Sequence, residues 1–337
     1  MHSATKVEVD RPTLETLVRE VMGAPSPVAD VRPLTDGMFN AAYAVTLADG
    51  SRAVVKVAPP VGTPLLTYEQ DLMATEVDFF RRAAGVVPVP DVLGVDLTRR
   101  LVDRDVLVLQ HLDGAPLHHL RRDLSPEQSA AVRRDLGAAV ARLRAVTGTR
   151  FGYDRPDGAL SADRWSTAFA AMVDALLGDA DRYGVRLPDA AAGLPALVAA
   201  ATPELDHVAV PVLTHFDLWD GNVFVARSRG AARVEALIDG ERAFWGDPLA
   251  ELASTALFAD PAEDVDFLDG YAQAAGEPLV LDDRAWLRLT FYRAYLDLVM
   301  TIEAVPRGYG GGEADATAVH VRAELERELG TLRAALG

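Results

Sequence analysis

The stretch L-T-H-F-D-L-W-D-G-N-V-F-V (213–225) sets His215, Asp217, Trp219, Asp220 and Asn222 as one polar island between apolar flanks. A further aspartate, Asp239, ends the apolar run V-E-A-L-I-D (234–239). These residue types suit transfer of a phosphoryl group from a nucleoside triphosphate to a hydroxyl. The transition state of that reaction is loose, so the protein mainly positions the acceptor and neutralises phosphate charge. It needs a carboxylate beside the acceptor hydroxyl, a cation for the phosphates left behind, and hard oxygen ligands for Mg²⁺. Asp217 and Asn222 stand five residues apart across a turn containing Gly221, a spacing that lets both face one cavity. A β-hairpin turning near 227–232 then returns Asp239 beside Asn222. Taken singly, each residue has a plainer explanation: Asp217, Asp220 and Asn222 make Asx turns, and Asp239 caps a strand end. Together, and with His215 and an apolar-strand lysine in the same chain, they favour the catalytic reading. An aspartate in its ordinary range, about 4, is a weak base. The part expected of Asp217 is therefore to orient the hydroxyl and take its proton as the new bond forms.

The required cation is conspicuous. Of 33 basic residues only Lys6 and Lys56 are lysine. Lys6 is expected in a mobile terminus, whereas Lys56 interrupts the strand-like A-V-V-K-V. Around it, residues 29–60 are β-branched and punctuated by Asp-Gly pairs, which predicts strand, turn and hairpin. A helix is expected before them at 12–22 and another after them at 68–85, with Leu72, Val77, Phe80 and Ala84 on one face. V-P-V-P-D-V-L-G-V-D and the run at 104–117 give two more strands. Ser125-Pro126-Glu127-Gln128 then opens a helix with a capping box and an early proline. Amphipathic helices follow near 161–180 and 190–202, a strand pair near 212–225 and 233–239, and helices to the end. The glycine-rich P-R-G-Y-G-G-G-E-A-D-A (306–316) reads as a flexible loop. Trp165, Trp245 and Trp286 read as core, and His118 and His119 as surface residues.

The expected fold is thus α+β and bilobal: a β-rich unit with one helix (1–110), a hinge (111–117), and a larger helical unit (118–337) holding the polar island.

The island and its continuation L-I-D-G-E-R-A-F-W-G-D-P-L-A-E-L-A (237–253) resemble the aminoglycoside phosphotransferase family, small-molecule kinases with a protein-kinase-like fold. L-T-D-G-M-F-N-A-A-Y-A-V resembles the family's phosphate-covering hairpin, and M-A-T-E-V-D-F-F-R-R-A its glutamate-bearing helix. By this resemblance Lys56 pairs with Glu76 and contacts ATP, and Gly37, Phe39 and Asn40 lie over the phosphates. Gln110, His111 and Leu112 meet the adenine. Asp217 is the catalytic carboxylate, Asn222 and Asp239 hold Mg²⁺, and His215 and Asp247 brace the loop. GTP is also compatible. Two departures count: the hairpin carries one glycine rather than G-x-G-x-x-G, and Phe216 replaces the arginine of protein kinases. No G-x-x-x-x-G-K-[ST] occurs, which argues against a P-loop kinase.

The tryptophan-bearing loop is similar both to kinases of viomycin, capreomycin or aminoglycosides and to fructosamine and ketosamine kinases. Both act on amines. Fifty acidic residues against 33 basic ones, a formal charge of −17, suit a cationic small-molecule acceptor and disfavour a nucleic-acid partner. Trp219, Asp260, Asp264 and Glu303 are candidate acceptor contacts, with a solvated acidic face as the alternative. The absence of cysteine excludes thiol catalysis, disulfides and cysteine-ligated zinc. With no apolar leader and no run of about 18 apolar residues, the expectation is a cytoplasmic, membrane-free monomer or homodimer. A kinase that inactivates an antibiotic comes first, a sugar-amine or other metabolite kinase second, and an ATP-binding regulator without turnover third.

Overall fold

The computed structural model describes residues 6–37, 39–228 and 230–337. Its N-terminal half is built on one antiparallel sheet. Helix α1 (Arg11–Val21) starts at Asp10, whose side chain accepts the Thr13 N–H, and buries Leu14, Leu17 and Val18. Strands β1 (Val28–Leu34), β2 (Ala41–Leu47), β3 (Arg52–Val57), β4 (Val92–Asp96) and β5 (Val106–Gln110) lie in the order β1-β2-β3-β5-β4. Helix α2 (Leu72–Ala83) connects β3 to β4.

Strand alternation decides which side chain faces the cleft. Val55 and Val57 of β3, like Val106 and Val108 of β5, pack in the small core with α1. Leu107 and Leu109 face the other way, into the large core shared with α2 and the second half. With a period of two, Lys56 must project to that second side, beneath α2.

The chain leaves β5 at Gln110, and β6 (Ala115–Pro116) already pairs with a strand of the second half. Helix α3 (Pro126–Leu143) follows, with both halves of its capping box formed: Gln128 N–H to Ser125 Oγ at 3.3 Å and Ser125 N–H to Gln128 Oε1 at 3.0 Å. Helix α4 is Trp165–Tyr183. Next come β7 (Val212–Thr214), β8 (Val223–Ser228), β9 (Ala231–Leu237) and β10 (Phe244–Gly246), then helices α5 (Glu251–Thr255), α6 (Val265–Ala275), α7 (Asp283–Glu303) and α8 (Gly312–Leu336). Among the described residues no helix is long and apolar enough to cross a membrane.

Three local expectations change. The polar island does not lie on one hairpin: β8 pairs with β9, while β7 joins β10 in a different sheet. The island is therefore the connection between two sheets, and its ends are fixed separately. Lys6 is tied down, its ammonium donating to the carbonyls of Leu34 at 2.8 Å and Gly37 at 3.1 Å. Within the glycine-rich stretch, Arg307 is only 4% exposed and α8 begins at Gly312. Of the expected core tryptophans, Trp165 and Trp245 are buried and Trp286 is half-buried.

The contact of α3 with α6 depends on glycine. A Cβ on Gly270 would stand 2.0 Å from the Arg134 carbonyl oxygen, and one on Gly137 2.0 Å from that of Phe267. Gly270→Ala must push the helices apart, so it is expected to lose about 1–3 kcal/mol, read as a lowered urea midpoint with an unchanged slope.

Candidate active site

The loop between β7 and β8 is held from below by α5. The Glu251 carboxylate accepts from the backbone N–H of His215 and, at 3.1 Å, from that of Phe216; Ser254 Oγ accepts from Leu218 N–H at 2.9 Å. Phe216 is left-handed at φ 62°, so the chain turns sharply into Asp217. His215 is fully buried, with Nε2 2.8 Å from the Ile238 carbonyl and Nδ1 accepting the Asp217 N–H at 3.2 Å. Its ring is therefore a neutral imidazole with Nε2 as donor. Burial keeps it so, pushing its pKa down to about 4. The Phe79 ring meets it edge-on at 4.9 Å, which joins α2 to the loop.

Two side-chain groups face each other across the cleft. Lys56 Nζ lies 2.7 and 2.9 Å from the two Glu76 oxygens and 2.5 Å from Asp239 Oδ1. Burial alone would lower the lysine pKa, but Asp239 and Glu76 together hold it well above its ordinary value. Opposite, Asn222 Nδ2 donates to the Asp217 carbonyl at 2.8 Å and to Asp217 Oδ2 at 3.0 Å. The Ile238 N–H donates to the Asn222 carbonyl at 3.0 Å, which sets Asp239 one residue from Asn222's neighbour. Asp239 itself is left-handed at φ 58°. The following Gly240 allows the close approach of α2, since a Cβ there would fall 2.4 Å from the Phe79 ring.

Asp217 departs from the ordinary acidity expected of it. Burial pushes its pKa up to about 7, with Arg242 pulling the other way. Asn222 spends its amide N–H groups on Asp217, leaving Oδ1 as the outward oxygen, and Asp239 keeps one carboxylate oxygen beyond its bond to Lys56. A carbonyl and a carboxylate oxygen at the adjoining ends of β8 and β9, Asn222 just before the one and Asp239 just after the other, form a hard-oxygen pair of the kind that binds Mg²⁺ together with substrate phosphates.

The β1–β2 loop reaches the same cleft. Asn40 Nδ2 donates to Glu241 Oε2 at 3.2 Å, and the buried Phe39 ring lies 4.8 Å from the Arg307 guanidinium. Gly37 is held by Lys6, and Met38 beside it is outside the described residues. At the far end of β5, Gln110 Oε1 accepts the Asp91 N–H at 3.3 Å; His111 and Leu112 are half-buried. Asp247 sits behind the loop. Its oxygens accept from Leu249 N–H at 3.0 Å, Arg288 Nε at 2.8 Å and Tyr292 hydroxyl at 2.9 Å, fastening the start of α5 to α7.

The four acceptor candidates part company. Trp219 is 39% exposed in the loop, its ring 5.6 Å from that of His118. Glu303 is near Asp217 but buried, and it is occupied by Arg242 at 2.9 Å and Arg307 at 3.2 Å. Asp260 caps the short turn at 261–263, and Asp264 caps α6 and pairs with Arg133. Neither caps within the Lys56–Asp217 group.

Sequence reasoning missed the arginines. Arg242 Nε stands 3.8 Å from Asp217 Oδ2, Arg242 also binds Glu303, and Arg307 bridges Glu303 to the buried Glu69. This buried chain of alternating charge ends at the loop aspartate. The available signal was Arg242 three residues past Asp239; nothing in the pattern marked Arg307.

A five-stranded antiparallel lobe with helices α1 and α2, one more than the sequence reading of this unit allowed, set on a helical lobe that carries the loop, is the kinase-like architecture of small-molecule phosphotransferases. Residues 30–292 match the family model described as the phosphotransferase enzyme family, APH, and the chain belongs to that family. It is a small-molecule phosphotransferase. No curated protein matches the sequence significantly. Among solved structures, the chain is similar to a putative fructosamine-3-kinase from Thermobifida fusca, with 23% identity, TM-score 0.64, and 93% of this chain and 98% of that one covered. A putative aminoglycoside phosphotransferase from Ralstonia eutropha gives 15% identity, TM-score 0.65 and coverage of 97% and 99%. An aminoglycoside phosphotransferase solved with ADP gives 14%, 0.54, and 95% and 98%.

Glu251 satisfies two loop N–H groups at once, and an amide there offers only one oxygen. Glu251→Gln should therefore cost about 1.5–3 kcal/mol of stability and lower turnover beyond the loss of folded protein, measured by melting and by activity per folded molecule.

Proposed function

We propose that the chain is an ATP- and Mg²⁺-dependent O-phosphotransferase acting on a hydroxyl of a small, cationic molecule, an antibiotic first. The observation that carries this reading is the convergence of Lys56, Glu76 and Asp239 with Asn222 and Asp217, drawn from β3, α2, the end of β9 and the loop between β7 and β8.

In this reading Glu76 holds Lys56 against the non-transferred phosphates. Asn222 and Asp239 are the protein's ligands to Mg²⁺, which supplies charge neutralisation at the phosphates when bound. Asp217 orients the acceptor hydroxyl and receives its proton as the oxygen–phosphorus bond forms. Gly37, Phe39 and Asn40 cover the phosphates, and the backbone at Gln110, His111 and Leu112 meets the base. His215, through its bonds to Ile238 and Asp217, and Asp247, through α5, keep the loop in place. Residues 1–110 then form the nucleotide lobe, 111–117 the hinge and 118–337 the acceptor lobe, in a cytoplasmic enzyme.

The formal charge of −17 supports a cationic acceptor. The family includes aminoglycoside phosphotransferases, which supports the antibiotic class. The likeness to a putative fructosamine-3-kinase supports sugar-modified amines as the second reading.

The test is acceptor-dependent ADP release from Mg·ATP across aminoglycosides, cyclic-peptide antibiotics, macrolides, ketosamines and amino sugars. One class is expected to turn over. Asp217→Asn should lower kcat by about 10²–10⁴ with ATP affinity retained, and EDTA should stop turnover until Mg²⁺ is restored. Failure to bind Mg·ATP would sink the proposal; binding without turnover on any acceptor would favour the regulator.

A further inference from the structure

Helix α5 turns two faces to different surroundings. Glu251 and Ser254 hold the catalytic loop, whereas Ala253, about 200° round the helix from Glu251, lines a cavity on the other side. That cavity, about 220 Å³, is walled by α5 with residues 257–260, by α7 and by α8. Two acidic side chains enter it. Asp297 of α7 is 4% exposed, and among the described residues its carboxylate has neither a hydrogen bond nor an ion pair. Glu328 of α8, 7% exposed, has its nearest cations at 3.9 Å (Arg293) and 3.8 Å (Arg327), both too far for a hydrogen bond.

Those arginines stand as loose ion-pair partners of Glu328 and make their hydrogen bonds elsewhere. Arg293 donates to the Ala259 carbonyl at 2.6 Å and lies 5.7 Å over the Trp286 ring; Arg327 donates to Glu324 at 2.8 Å. Buried carboxylates are ordinarily paired or hydrogen-bonded, because losing water without a replacement donor is costly. An unpartnered one aimed into a cavity marks a place for a cation. A bare metal ion fits poorly, since no three metal-ligating side chains come together among the described residues. Leu257 and Trp286 offer apolar wall instead. The volume lies below the roughly 300–1,000 Å³ of drug-sized sites, so the ligand is small.

We propose that this cavity binds a small primary amine, its ammonium between Asp297 and Glu328 and its apolar body against Leu257 and Trp286. The site is separate from the phosphotransfer cleft: α5 lies between them, and the cavity shares no residue with the Lys56–Asp217 group. The charged groups facing Asp297 are Arg293 on its own helix, Glu324, Arg327 and Glu328 from α8, and Asp260 from the 257–260 segment. Burial and Glu328 push Asp297 up to about 8, against Arg293 and Arg327. A protonated amine therefore binds more tightly as pH rises towards 8 and displaces a proton from Asp297 below it.

The experiment is calorimetric titration of the full chain with phenethylamine, using 2-phenylethanol as the neutral control. The amine should bind tighter than the alcohol by about tenfold or more, and Asp297→Asn should erase that difference. Glu328→Gln carries the same test should Asp297→Asn not fold. Binding should persist in Asp217→Asn, which keeps this inference independent of the proposed reaction. Equal affinity for amine and alcohol, an undiminished preference in both carboxylate variants, or loss of binding in Asp217→Asn would each overturn it.

Discussion

A buried ammonium among buried carboxylates is the constraint around which the cleft is organised. Lys56 is 7% exposed, Glu76 wholly covered, and Asp239, its side chain a third exposed, reaches Lys56 from the other lobe. Breaking one partner out of such a buried set typically costs about 3–5 kcal/mol, so the three elements must arrive together. Strand alternation turns Lys56 to the correct side, α2 supplies Glu76, and the left-handed backbone at Asp239 swings its carboxylate inward. Gly240 then leaves room for Phe79, the ring that also touches His215. Nucleotide-side charge and loop geometry are thereby one packing problem.

A second line of charge leads to the loop aspartate. Glu69 of the β-rich lobe, then Arg307, Glu303, Arg242 and Asp217 of the helical lobe, alternate in sign. Arg242 offsets part of the cost of burying Asp217, and Glu303 is consumed in holding Arg242. Glu303, a candidate acceptor contact in the sequence, is thus already neutralised by two arginines, whereas Trp219 remains 39% exposed in the loop.

Much of the fold was legible because it rests on local chemistry. The Ser125–Gln128 capping box, the Asp-Gly hairpins and the two-residue alternation around Lys56 each have a short-range cause, and each element formed where that cause stood. The polar island reads in the sequence as part of one hairpin, whereas it joins two sheets. A three-residue strand before it and a six-residue strand after it look continuous in sequence; only pairing with β10, across the chain, divides them. Arg307 was invisible for a similar reason. Its partners lie 4 and 238 positions away, and glycine-rich surroundings signal a loop without revealing that one side chain within it is buried. Lys6 was hidden likewise by its position near the terminus.

The anchoring of Arg307 divides the segment that follows α7 into parts of unequal freedom. Besides its carboxylates, Arg307 donates to the Tyr309 hydroxyl at 3.1 Å, and the Tyr309 N–H returns to the Ala304 carbonyl at 2.9 Å. Residues 304–309 are therefore a fastener of fixed length between the lobes. Among the described residues Gly310 and Gly311 carry no comparable tie, and a Cβ at either meets open space. Among related chains, insertions and deletions in this connection should accumulate after Tyr309, while the spacing from Glu303 to Tyr309 stays constant.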